Sequence, residues 1–385
     1  MIVYETAGGG HLANARAIQA ALTERHPELD VFMLHIGHES RSQRLKALYE
    51  VYNTMLKGDP RMVKMGFRVI STFNPEEVVM PFLGKARHNL EAVIRREKPD
   101  LIVSVFSVIN QAALSMLRNL GWQERVPYLI FCTDLSHGFL KNWVRPEAAA
   151  MIALSDEAAD QMVEFGYQRS KIKVLHGLPV HPDFLRIAPG KDAARRQLYL
   201  QDRFTALITM GGVAGKGALR AARELANCGL PIQIVVVCGR NRLMERRVKR
   251  LAARSAVPLR VYGFTDQMHL LMEAADVVVT KPGPGTIAEA VMKLRPLLVD
   301  GTREPMPQEV GNLEYVARHG LGDIYEHPGH LTKLVRRYMD DRARYEAAVK
   351  NMAGLRNPDA VFDLAEFIVS KVPEQAHTAP LAGVG

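Results

Sequence analysis

The 385-residue chain is poor in cysteine, with only Cys132, Cys228 and Cys238. An odd number at scattered spacing fits neither a disulfide framework nor a zinc site. Cys132 and Cys238 close apolar runs, where a reduced thiol packs as a small hydrophobe, and this predicts a reducing, cytoplasmic compartment. Long hydrophobic runs are also missing. The stretches 231–238 and 276–280 are strand-length, far short of the ~20 apolar residues that a bilayer core demands. Met1-Ile2-Val3-Tyr4 leads directly into a glycine loop. With no basic n-region or cleavage site ahead of it, no signal peptide is expected. No Asp-x-Asp pair lies near a predicted strand end, so no metal is expected. Disorder of the whole chain is excluded by an apolar content of 48%.

What is present is an alternation of short β-rich runs with longer amphipathic stretches, the pattern of parallel α/β layers. Strands are predicted over 1–5, 31–35, 101–105, 128–133, 149–153 and 172–175. After a proline-bearing junction a second series follows over 204–210, 233–238, 259–263, 277–280 and 296–299. Helices are predicted over 11–26, up to 97, and over 218–228, 242–253, 286–293, 309–319 and 359–371. The length suits two domains. They are expected over 1–180 and 190–358, with a last helix at 359–372 that packs back, and a flexible tail at 373–385 rich in Ala, Pro and Gly.

Open α/β sheets bind ligands at the carboxyl ends of their strands, and several motifs fall there. Gly8-Gly9-Gly10-His11 joins the first strand to the first helix. Its glycines let a ligand approach the backbone and its histidine faces the crevice, or it is a tight turn with a surface imidazole. Lys281-Pro282-Gly283-Pro284-Gly285-Thr286-Ile287-Ala288-Glu289-Ala290 opens a helix after a strand. Free N–H groups and the positive dipole end there suit a diphosphate. Glu289, one turn in, can accept two hydrogen bonds from a ribose diol. Gly211-Gly212-Val213-Ala214-Gly215-Lys216-Gly217 lacks the Lys-Ser/Thr ending of a nucleotide triphosphate loop, which argues against an ATPase. Asp134 and His137, in Thr133-Asp134-Leu135-Ser136-His137, are candidates for a general base and its orienting partner, or for a cap and a surface histidine. In Gln308-Glu309-Val310-Gly311-Asn312, amide and carboxylate groups suit sugar hydroxyls, or simple capping.

These motifs, in this order, resemble the family 28 glycosyltransferases of the GT-B fold, and most nearly the monogalactosyldiacylglycerol synthases and bacterial diacylglycerol glucosyltransferases. The resemblance covers roughly residues 1–325. It also takes in Trp143, Gly177-Leu178-Pro179-Val180 with Phe184, Cys238-Gly239-Arg240-Asn241, and Gly263-Phe264 with Met268. It implies two Rossmann-like domains facing a central cleft and an inverting transfer of a hexose from a UDP-sugar to diacylglycerol. On the donor side it implies Gly263 and Phe264 at uracil, Gly283, Pro284, Gly285 and Thr286 at the diphosphate, Glu289 at ribose, and Gln308 and Glu309 at the sugar. Gly212, Gly239, Arg240, Met268 and Asn312 complete that set. On the acceptor side His11 and Asp134 stand beside the attacking hydroxyl, with Gly9, Gly10, His137 and Trp143 around them. The chain departs from the family where Ser104-Val105-Phe106-Ser107 replaces a Ser-Val-His-Pro stretch, and where the loop 301–307 is longer.

The net charge of +9 has two visible sources. Residues 41–96 interleave cations with Met, Tyr, Leu and Phe, the composition of an interfacial membrane segment. Residues 240–254 form a basic helix face without stacking aromatics or a nucleic-acid motif, so no nucleic-acid partner is expected. The expected location is therefore the inner face of the cell membrane, as a peripheral protein. Alternatives on the same architecture are an N-acetylglucosaminyltransferase acting on a lipid-linked cell-wall precursor, a UDP-sugar 2-epimerase, and a non-catalytic UDP-sugar sensor.

Overall fold

The structure, a computed structural model, describes residues 1–5, 9–36, 84–186, 190–212, 215–302, 307–327 and 329–374. Gly8, most of the basic segment at 41–96, the loop residues 213–214 and 303–306, and the tail from 375 lie outside the described residues, as does the side chain of Gln308.

Two parallel six-stranded sheets form the frame. The first comprises β1 (Ile2–Tyr4), β2 (Met33–His35), β3 (Ile102–Ser104), β4 (Tyr128–Phe131), β5 (Ala150–Ala153) and β6 (Ile172–Val174), in the order β2-β1-β3-β4-β5-β6. The second comprises β7 (Phe204–Thr209), β8 (Ile232–Val237), β9 (Leu259–Tyr262), β10 (Val277–Thr280), β11 (Leu297–Asp300) and β12 (Gly322–Tyr325), in the order β12-β11-β10-β7-β8-β9. Strands such as Val277-Val278-Val279-Thr280 are buried throughout. A parallel sheet covered by helices on both faces requires such continuous apolar, β-branched runs. The order reverses between β1 and β3 in one sheet and between β7 and β10 in the other. Connections that leave in opposite directions open a crevice at each of these points.

Among the described residues the helices are α1 (Gly10–Arg25), α2 (Gly84–Glu97), α3 (Asn110–Asn119), α4 (Asp156–Glu164), α5 (Lys191–Gln197), α6 (Lys216–Ala226), α7 (Arg242–Ala252), α8 (Met268–Ala274), α9 (Pro284–Lys293), α10 (Pro307–Arg318), α11 (His330–Asp340), α12 (Arg342–Leu355) and α13 (Ala360–Val369). The last of these, α13, packs on α1, where His26 Nε2 meets Glu366 Oε1 at 3.0 Å and the Arg25 guanidinium lies over the Phe362 ring. One apolar cluster runs from Ile2 and Phe131 through Leu178, Val180 and Phe184 at the junction to Val278 and Ile287. Among the described residues no helix is long and apolar enough to cross a membrane.

Several elements escape the periodicity. The half-buried edge strand β12 carries little apolar signal in Gly-Asp-Ile-Tyr. The exposed Asp340 and Asp341 divide two helices: α11 ends at Asp340, and Asp341 accepts the Arg344 N–H as the N-cap of α12. A carboxylate satisfies the free N–H groups of a first helical turn, so such a pair marks a boundary as readily as a solvated face.

Candidate active site

The first wall of the cleft begins where β1 gives way to α1. Gly9 sits at φ +87°, and a β-carbon there would lie 3.1 Å from the Gly212 Cα, so the two glycine loops abut across the cleft. Glycine meets both demands at this position: the left-handed backbone and the close approach. His11, in the first turn of α1, has its Nδ1 3.3 Å from Thr133 Oγ1, while Phe106 meets its ring edge-on at 5.3 Å. Desolvation lowers its pKa to about 4, against the pull of a Val105 backbone hydrogen bond and the Glu5 carboxylate. At neutral pH the imidazole is therefore uncharged.

Asp134 follows β4, beside Thr133, and accepts a hydrogen bond from Trp143 Nε1 at 3.0 Å. Burial raises its pKa to about 6; the indole N–H opposes the shift and Glu309 adds to it. Trp143 is buried, so its visible task is to hold Asp134. His137 turns toward the second half, with Nε2 3.3 Å from Glu314 Oε2.

The opposite wall is built at the β7/β10 reversal. Gly283 is the N-cap of α9 and Pro284 its first residue, and no side chain caps the end. A proline costs nothing at a position whose N–H would be unpaired. The N–H groups of Gly285 and Thr286 are left with the positive end of the helix dipole, an anion site by construction. Glu289 stands one turn along, and burial pushes its carboxyl up to about 8. Lys281 Nζ binds Glu309 Oε1 at 2.9 Å beside the same loop.

Further out, the Arg240 guanidinium covers the Phe264 ring at 4.4 Å, and Phe264 is 53% exposed, unusual for an apolar ring. Gly239, at φ +56°, lies against the Gly212 carbonyl, which accepts the Arg240 N–H at 3.0 Å. A β-carbon on Gly263 would meet Glu245 Oε2 at 2.9 Å, so a larger residue there would have to push that carboxylate aside. Met268 opens α8 and packs at the edge of the core. Gly10 and Gly285 border open space. Lys216, exposed after its Gly215 N-cap, begins α6, and Gly217 is explained by its approach to Asp300.

Asn312 has another place than the sugar contact expected of it. It is 1% exposed and its Nδ2 donates to the Pro282 carbonyl at 2.9 Å, bracing the proline-glycine turn from beneath. Position 312 falls on the inner face of α10, whereas Glu309 reaches the loop surface. Phe106, Thr133 and Lys281 join the site although sequence assigned them no role in it: Thr133 and Lys281 open motifs read for their other residues, and Phe106 stands in the stretch 104–107 that departs from the family, where nothing local marks it as a partner of His11. Among the described residues no group of three or more His, Cys, Asp or Glu is placed to hold a metal ion.

Comparison with known proteins gives the family and the fold. Residues 11–180 match the monogalactosyldiacylglycerol (MGDG) synthase family, and residues 213–357 match the glycosyltransferase family 28 C-terminal domain. The chloroplastic monogalactosyldiacylglycerol synthase of Spinacia oleracea is 32% identical over 97% of this chain and 73% of its own. Among solved structures, MurG of Acinetobacter baumannii superposes with a TM-score of 0.62 at 17% identity, covering 96% of this chain and 99% of its own. UDP-GlcNAc 2-epimerase of Neisseria meningitidis gives 0.61 at 14%, covering 96% and 98%. At such identities the likeness concerns fold alone, and the same fold carries both transfer and epimerisation. The sequence match is what decides: the chain belongs to the monogalactosyldiacylglycerol synthase family and is a glycosyltransferase of the GT-B fold.

Proposed function

We propose that the protein moves a hexose from a UDP-sugar to the hydroxyl of diacylglycerol, making a glycosyldiacylglycerol. One observation carries this reading. The uncapped start of α9, with Lys281 and Glu289 beside it, shares a cleft with the desolvated pair His11 and Asp134. A site for a diphosphate leaving group and a site for a base are what displacement at an anomeric carbon needs.

In this reading Phe264 and Arg240 take the uracil, Glu289 the ribose, and the N–H groups of Gly285 and Thr286 the diphosphate. Glu309, with Gln308, takes the sugar hydroxyls. Asp134 removes the proton as the acceptor oxygen attacks from the opposite face, so configuration inverts. A base works best with a pKa near the operating pH, and Asp134, at about 6, is nearer than His11, at about 4. His11 then orients the hydroxyl. As the anomeric bond breaks, the leaving UDP gathers charge, and preorganised N–H groups stabilise it there. No metal is required in this scheme, so turnover should survive EDTA.

Radiolabelled UDP-galactose, UDP-glucose and UDP-N-acetylglucosamine, each offered with diacylglycerol, test the reading by transfer of label into the organic phase. Label that stays in water while the donor is epimerised would replace it with the epimerase. The membrane part of the reading rests on the basic, apolar-studded residues 41–96. Flotation with anionic liposomes should exceed flotation with neutral ones.

A further inference from the structure

The helix α10 has two working faces. One serves the donor wall: Glu309 binds Lys281, and Asn312 holds the Pro282 carbonyl. The other carries Gly311, Glu314 and Arg318, spaced i, i+3 and i+7, on a single side of the helix. That side rests on the first half of the chain. Gly311 lies directly against the His137 backbone carbonyl, where no β-carbon fits. Glu314 Oε2 stands 3.3 Å from His137 Nε2. Arg318 Nη1 donates to Glu157 Oε1 in the first turn of α4. Tyr315, on the same side and 6% exposed, meets the His319 ring at a tilt, with centroids 4.2 Å apart. His137 itself lies three residues after Asp134, in the loop that β4 delivers to the cleft.

We infer that Gly311, Glu314 and Arg318 are positioning residues: they fix the two halves in register, so that the donor loop braced by α10 faces the Asp134 loop. They touch no substrate. Their effect passes through Glu309 and Asn312 on one side and the loop 134–138 on the other. The inference rests on the reading of the cleft as a transfer site.

The steric contact and the ion pair can be tested separately. Gly311→Ala inserts a β-carbon against backbone, which cannot rotate away. It should lower kcat by roughly tenfold to a hundredfold, the scale expected for a misplacement of about 1 Å. UDP affinity, measured by calorimetry, should stay within about twofold, because every proposed donor contact lies in the second half. Small-angle scattering should show a wider particle. For the exposed pair, Arg318→Glu and Glu157→Arg should each lower kcat, and the double swap should restore it, since a true pair is non-additive. The latch is refuted if folded Gly311→Ala keeps wild-type kcat, if UDP affinity falls as far as kcat, or if the double swap is as slow as the product of the singles. Scattering needs no substrate: a widened Gly311→Ala particle, with wild-type protein glycosylating no lipid, would sink the functional reading and leave the latch standing.

Discussion

Asp134 and His11 differ in the pH at which each becomes a competent base. Asp134 must be ionised, so an enzyme that relies on it gains kcat/KM as pH rises through about 6. Reliance on His11 would put that limb near 4. The profile of kcat/KM reports groups of the free enzyme. The expected limb is the upper one. Asp134→Asn should abolish it and cost about 10²–10⁴-fold in rate. His11→Ala should leave the limb in place and spare UDP affinity. A limb near 4 would exchange the two roles. Glu289 poses the opposite problem. Burial favours its neutral form, yet a ribose diol is best held by a carboxylate. Donor binding should then release a proton, and UDP affinity should climb by up to about tenfold per pH unit below about 8. Glu289→Gln should weaken UDP and flatten that slope. The same burial raises the folded-state pKa above the unfolded one, so the native state is favoured while the carboxyl is protonated and loses that advantage as pH rises from about 4.5 to about 8. Free Glu289→Gln protein should accordingly melt higher than wild type at pH 8 and above, with the gap closing near pH 5. Scanning calorimetry of both proteins at the two pH values decides it. The chemical type of each of these residues was legible in the sequence. Their pKa values were not, because the leading cause of each shift is burial, which only the folded chain creates.

At the scale of elements, three of the motifs that sequence reading located, at Gly9, Gly211 and Gly283, lie where a helix follows a strand at a reversal of strand order. Pro284 and Gly283 declare the start of α9 unaided. Less visible were α3, α4, α5 and α8, helices of only seven to ten residues, too short for a periodic pattern to repeat more than twice. Asn312 shows a different limit within a helix. Its residue type suits a sugar hydroxyl, and only the packing of α10 under the loop turns it inward. This placement predicts a loss at a distance from any ligand. Asn312→Asp replaces a donor with a second acceptor against the Pro282 carbonyl, at a site that is 1% exposed. A buried group left without its partner costs about 1–3 kcal/mol, and more when charged. Stability by denaturant titration should fall at least that far, and UDP affinity should fall with it because the turn loses its brace. A variant of wild-type stability with weakened UDP binding would instead place Asn312 in contact with the donor.

For the molecule as a whole, the two halves share one apolar interior. The cluster that contains Ile2 and Phe131 continues through Leu178 and Phe184 into Val278 and Ile287, and it takes in Val361, Leu364, Ala365 and Ile368 of α13. The last described helix therefore belongs energetically with the first, since α13 lies on α1. Helix α1 also presents Gly10 and His11 at its other end. Disturbing α13 should be felt on the acceptor wall before the donor wall. Leu364 is fully buried, and truncating such a side chain costs about 2–5 kcal/mol. Leu364→Ala should lower the melting temperature and raise hydrogen exchange along α1 first. UDP affinity at a temperature where the variant is folded should hold, because the start of α9, Arg240 and Phe264 make no use of α13. Exchange that instead rises first around α9 and β10 would mean that α13 stabilises the second half, and that the chain closes on itself differently from the packing of α13 on α1.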